Sequence, residues 1–188
     1  VLSRYPRDAD AIASVARVAL ENQKPHLAGD LMIDACRAES LENVSRTQQA
    51  IATLAVTGRV YDAIDLLDEC IDRHPQQHAM RRMLFNFYTG VEDHVHGIPH
   101  GRFLVRHRQF DLPLLLALCS SETRTETADT LTEMARRNAK DHRPMIAEAK
   151  IQYDLGRMED AASRLLDSLR FHPDYAPALS LQCRVLFA

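Results

Sequence analysis

The sequence predicts an all-α protein built from stacked antiparallel helix pairs, and three observations carry that prediction. Apolar residues recur at helical spacing (i, i+3, i+4, i+7) from Ala13 to Phe187, and no stretch alternates as a half-buried strand does. Six glycines and eight prolines in 188 residues are too few for a hairpin-rich β architecture or Gly-rich phosphate loops. The third observation is an internal near copy. GRVYDAIDLLDECIDRHP, from Gly58 to Pro75, returns as GRMEDAASRLLDSLRFHP, from Gly156 to Pro173.

The spacing in the two copies has a physical reading. Gly-Arg closes a short turn between two helices. An alanine five residues after the glycine (Ala63, Ala161) lets the second helix come close to the first, and Leu67 or Leu165 fills the space one turn on. Twelve residues after the alanine a proline, which cannot continue a helix, ends the unit. Such a pattern resembles the tetratricopeptide repeat, a helix–turn–helix unit of about 34 residues.

Laid along the chain, the repeat accounts for nearly all of it. Residues 1–8 read as the tail of a preceding unit closed by Pro6. Residues 9–77 read as two repeats, with Ala28, Met32 and Ala35 in one second helix and Ala63, Leu67 and Cys70 in the other. Residues 78–141 read as two degenerate repeats with an irregular segment near 91–111. The first begins with Leu84, Phe85 and Tyr88, and its second helix is expected only over Pro99–Arg108, after the stretch EDHVHGI. The second has Leu112, Leu115, Leu116 and Cys119, then Ala128 and Ala135. Residues 142–175 form a further repeat and 176–188 a terminal helix. Helix starts are marked by Asp8, Asp10 and Asp111, whose carboxylates can cap free amides, and by prolines 25, 113 and 144.

The resemblance implies a right-handed α-solenoid, a superhelix whose concave groove is lined by the first helix of each pair and binds a peptide or partner domain. Carrying the groove positions across places Arg17, Leu20 and Glu21 there, then Gln48, Ala52 and Ala55, then Arg82, Asn86 and Thr89. It also places Phe110, Ala117 and Ser120, then Arg143, Lys150 and Tyr153, with Arg184 following. Five cations on one expected face point to an acidic or carboxylate-bearing peptide. Asn86 one turn after Arg82 is similar to the cation–Asn pair of carboxylate-clamp repeats, although the other clamp residues are not matched. The bland reading of the same face is solvated charge with intrahelical pairs.

Other chemistries find little support in the residues. The net charge of −3 and the alternating signs of TETADTLTEMARRNAKDHRP argue against a nucleic-acid surface. Asp93, His94, His96 and His100, with His107 beyond, carry metal-ligand chemistry, but ligands two apart in a loop fix no tetrahedron. Cys36, Cys70, Cys119 and Cys183 are widely spaced and are expected as buried, reduced thiols rather than nucleophiles or zinc ligands. Asp65, Asp68 and Glu69 are expected on the solvated side of a second helix. No nucleotide-binding or zinc-protease motif occurs, so neither an enzyme nor a cofactor is expected.

No run of about 18 apolar residues is present to span a membrane. The chain opens without a signal peptide or initiator Met and reads as a cytoplasmic fragment of a longer protein. The expected function is a protein-interaction scaffold, with self-association through exposed array ends as a further expectation. The competing expectation is a regulatory helical domain that senses a ligand or metal at 91–111.

Overall fold

A computed structural model describes residues 8–119, 124–138 and 140–188. Pro6 and Ser120, singled out above, lie outside them. Among the described residues there are eleven α-helices and no strand. They are α1 (Ala9–Glu21), α2 (Pro25–Ala38), α3 (Val44–Val56), α4 (Val60–Arg73), α5 (His78–Gly90), α6 (His94–Arg106), α7 (Leu112–Cys119), α8 (Arg124–Arg137), α9 (His142–Asp154), α10 (Met158–Phe171) and α11 (Ala176–Leu186). The chain divides into two compact units at Asp93–His94.

The turns explain the regular alternation. At each described link from a first to a second helix one residue takes the left-handed conformation: Gln23 (φ 56°), Gly58 (φ 76°), Glu92 (φ 61°) and Gly156 (φ 74°). The N–H of the following residue returns to a carbonyl five residues back. Lys24 bonds Ala19, Arg59 bonds Leu54, Asp93 bonds Tyr88 and Arg157 bonds Gln152, at 2.8–2.9 Å. This closure satisfies the last carbonyls of the helix and, within each unit, reverses the chain within three residues. Pro75 and Pro173, by contrast, follow the ends of α4 and α10, where they block another turn of helix.

The segment expected to be irregular corrects that expectation. α6 runs the full length from His94 to Arg106 rather than starting near Pro99, and only 91–93 form the turn. Glu92 does what Gly58 and Gly156 do elsewhere, so the turn carries no glycine signal. Five residues on, Gly97 is buried at the fourth helical position, where α2, α4 and α10 bury Ala28, Ala63 and Ala161. Pro99 is tolerated because it leaves only the carbonyl of Val95 unpaired, at a residue open to water.

In the first unit, α1 packs on α2, α2 on α3, α3 on α4 and α4 on α5. The shared core holds Ala16, Met32, Cys36, Ile51, Leu54, Ala63, Leu67, Cys70, Met80 and Leu84. Burying a leucine such as Leu67 completely contributes about 2 kcal/mol. Polar ties run over this core. Arg59 donates to Asp62 (2.5 Å), Asp30 (2.7 Å) and the His26 carbonyl (3.0 Å), so one guanidinium holds the start of α4 to α2. Arg46, mostly buried on α3, pairs with Asp10 of α1 and Glu39 at the end of α2.

In the second unit, α7 packs against both α8 and α9, and α9 against α10 and α11. Contact between alternate helices, α7 with α9 and α9 with α11, is what stacking of hairpins requires. Each unit is therefore an α-solenoid of antiparallel helix pairs. Glu148 of α9 is buried and accepts through Oε1 from the Thr132 hydroxyl (3.2 Å) and Arg164 (3.1 Å), linking α8, α9 and α10. α7 starts as expected, with the Asp111 carboxylate accepting from the Leu114 N–H at 2.9 Å. Asp8 caps α1 in the same way.

Candidate functional site

The first helices share one register. In α1, α3 and α5 the eighth residue is buried (Ala16, Ile51, Phe85) and the ninth is exposed (Arg17, Ala52, Asn86). A helix advances 100° per residue, so this sharp boundary marks where each buried stripe ends and an open face begins. In the first unit that face carries Arg17, Gln48 and Asn86 exposed and Arg82 half-buried. Two large apolar side chains stand among them. Leu20 is 42% exposed and Val56 is 89% exposed. The sequence gives no sign of Val56, because it continues the apolar pattern of α3, yet as the last residue of that helix it is left exposed.

The second unit treats its expected groove residues differently. Lys150 donates to both carboxylate oxygens of Asp154, at 2.6 and 2.5 Å, so its charge is matched one helical turn away. Arg143 is a structural tie. It donates twice to Asp141 (2.9 and 2.8 Å) and once to the Phe110 carbonyl (2.8 Å), and its guanidinium lies 4.6 Å from the centre of the Phe110 ring. Burial works to raise the Asp141 pKa, but the Arg143 side-chain and backbone hydrogen bonds outweigh it and hold the carboxyl below its ordinary range. Tyr153 and Arg184 do meet, with the guanidinium carbon 5.1 Å from the ring centre. Phe110 and Ala117 are half-buried.

Two carboxylates expected in solvent hold helices together instead. Asp68 accepts from the Tyr88 hydroxyl at 2.8 Å, and Glu69 makes a two-pronged pair with Arg37 of α2. The Arg37 hydrogen bonds lower the Glu69 pKa against a smaller opposing effect of burial. Burial, reinforced by the Asp68 contact, raises the pKa of Tyr88.

The thiols offer no nucleophile. Desolvation by burial raises Cys36 to about 11 and Cys119 to about 12, and raises Cys70 as well, which suppresses the reactive thiolate. Cys183 departs from the expected burial, because it lies on the open side of α11. His94 and His96 sit two residues apart on a regular helix and so project about 200° apart, which prevents them from sharing an ion. Among the described residues no three His, Cys, Asp or Glu side chains converge as a metal site would require.

No family model matches the chain, and no curated protein matches it in sequence. Solved structures do match. The TPR protein YrrB, described as having an unusual peptide-binding site, superposes over 97% of this chain and 95% of its own, with a TM-score of 0.61 at 13% identity. MamA residues 41 to the end, from Desulfovibrio magneticus RS-1, covers 89% and 97% of the two chains, with a TM-score of 0.58 at 12% identity. The yeast Tom70 structure covers 99% of this chain and 41% of its own, with a TM-score of 0.57 at 12% identity.

This is the tetratricopeptide-repeat fold. The expected all-α architecture of stacked, TPR-like helix pairs holds. Its turns keep the repeat period even where the sequence motif has decayed, and at such low identity the likeness speaks for architecture alone. No helix among the described residues is long and apolar enough to cross a membrane.

Proposed function

We propose that the chain is a non-catalytic scaffold that binds a peptide or partner domain on the open face of its first helices. One observation carries this reading: in α1, α3 and α5 the buried stripe stops at the same residue, and the face beyond it keeps Leu20 and Val56 in water among Arg17, Gln48 and Asn86. Apolar side chains ringed by polar ones are the usual composition of a partner-binding surface. The neighbour YrrB, by its description, binds peptide. In the second unit, Tyr153 and Arg184 form the corresponding aromatic–cation pair, while Arg143 and Lys150 are engaged with Asp141 and Asp154. An acidic preference on these faces is therefore weaker than the residue list alone suggests, and apolar anchoring takes the larger share. The division into five repeats and a terminal helix belongs to the same proposal.

Panning a random peptide library on the immobilised protein tests it. Selected peptides should lose about tenfold in affinity, or about 1.4 kcal/mol, with Val56→Ser or with Arg17→Glu. Failure to select any peptide, or affinities untouched by both variants, would remove the reading. Self-association is a second reading, favoured by Leu186 and Phe187, which stand 69% and 90% exposed at the end of α11. Light scattering that returned only a monomer mass would dispose of it.

A further inference from the structure

The second unit contains a groove that the first-helix face does not account for. It has a volume of about 850 Å³ and runs between the end of α6 and α8, with the start of α9 closing one end. That size lies within the range of concave sites that hold small ligands and short peptide segments. Its walls combine Arg106, Arg108 and Arg137 with the apolar Val105, Phe110 and Met134. A smaller hollow adjoins it, sharing Val105, Arg106 and Thr130 and adding Leu115 and Leu118.

The charges in this groove are unequal in a useful way. From His94 to Phe110 the chain carries three arginines, four histidines and no acid, within a protein whose net charge is −3. Of the acids lining the groove, Glu133 is engaged by Arg136 and Arg137, and Asp141 by Arg143. Among the described residues, only Asp129 remains to oppose Arg106 and Arg108, which are both exposed and make no ion pair there. One wall is also fixed in advance. The Arg143 guanidinium bonds the Phe110 carbonyl and covers the Phe110 ring, so that ring holds its position before anything binds.

We propose that this groove binds an acidic peptide segment in which carboxylates flank a large apolar side chain. The carboxylates meet Arg106 and Arg108 through charge-assisted, two-pronged hydrogen bonds, and the apolar side chain lies against Phe110 and Met134. A peptide meets this demand better than a nucleic acid does, because the groove offers an apolar floor between its cations and, among the described residues, only two arginines without an ion pair. The site is distinct from the face of α1, α3 and α5.

The test uses the full chain and a fluorescein-labelled peptide of sequence EDLFDE, followed by anisotropy, with QNLFNQ as the uncharged control. Binding of EDLFDE should weaken about tenfold in a variant carrying both Arg106→Glu and Arg108→Glu. It should weaken only about two- to threefold in a variant carrying both Arg106→Lys and Arg108→Lys, which keeps the charge but not the two-pronged geometry, and stay near the native value in Arg17→Glu or Asn86→Ala. The milder pair Arg106→Gln and Arg108→Gln should fall between, which covers the event that charge reversal disturbs folding. Four results would overturn the proposal: no binding of EDLFDE at about 1 mM, equal binding of QNLFNQ, losses confined to Arg17→Glu and Asn86→Ala, or tighter binding of a uridine decamer. Losses confined to Arg17→Glu and Asn86→Ala would still leave the first-helix reading intact.

Discussion

Replacing the glycines of the two regular turns isolates backbone strain from packing. A Cβ added at Gly58 or Gly156 would meet no atom within 4 Å, yet both residues sit at φ values of 76° and 74°. An L-residue in that region costs roughly 1–2 kcal/mol, while alanine restricts the unfolded chain by about 0.4–1 kcal/mol relative to glycine. Gly58→Ala and Gly156→Ala should therefore each destabilise by about 1 kcal/mol, the difference of those two effects. The same arithmetic runs backwards at Gln23 and Glu92, which already carry a side chain at φ 56° and 61°. Gln23→Gly and Glu92→Gly should stabilise by a similar amount, about 0.5–1 kcal/mol. For a chain of this size, 1 kcal/mol moves the melting temperature by about 2–4 °C. Thermal unfolding followed by circular dichroism at 222 nm reads all four variants. A Gly58→Ala protein as stable as the native one, or a Glu92→Gly protein clearly less stable, would refute the assignment of these turns.

Gly29→Ala tests packing instead, since its Cβ would stand 2.8 Å from Arg59 Nη1 and 3.0 Å from Leu54 Cδ2. It should destabilise alone and much less in an Arg59→Ala background, as a double-mutant cycle of melting temperatures would show; strict additivity would argue against the contact. Asp141 has its pKa lowered on folding, so its stabilising effect is complete above the ordinary Asp range near pH 4 and disappears as pH falls through the folded value. Asp141→Asn should accordingly be less stable than the native chain at pH 7, and the gap should narrow as pH falls below the ordinary Asp range, a comparison made by melting curves across that range. His142 is lowered by burial first and by the neighbouring His172 second, so folding favours its neutral form. Stability should decline as pH drops below about 6.5, and His142→Gln should flatten that decline. In native protein, Ellman's reagent should titrate Cys183 rapidly and Cys36, Cys70 and Cys119 only after unfolding; more than one fast thiol would contradict the burial of the other three.

The architecture was legible in the sequence because its strongest signals are steric. Ala63 and Ala161 mark close helix approaches, Gly58 and Gly156 mark left-handed turns, and Pro75 and Pro173 mark helix ends. Where another residue performs the same task, the signal vanishes. Glu92 adopts the turn conformation without being glycine, and Gly97 occupies the alanine slot, so the sequence of a regular helix resembles an irregular segment. The face of the first helices was placed by register and not by chemistry. The Lys150–Asp154 pair lay in plain view at four-residue spacing, but the tie from Arg143 to Phe110 joins residues 33 apart and depends on the fold for its existence. The groove beside α6 was out of reach for the same reason, since α6, the turn after it, α8 and α9 each supply one of its arginines.

The left-handed turns have a consequence for how such a protein changes over time. Because backbone closure fixes where each solvent-facing position falls, Arg17, Ala52 and Asn86 can be exchanged for almost any side chain while the scaffold beneath stays as it is. Recognition and foldability are thus written at separate addresses, and a lineage can revise the first without renegotiating the second.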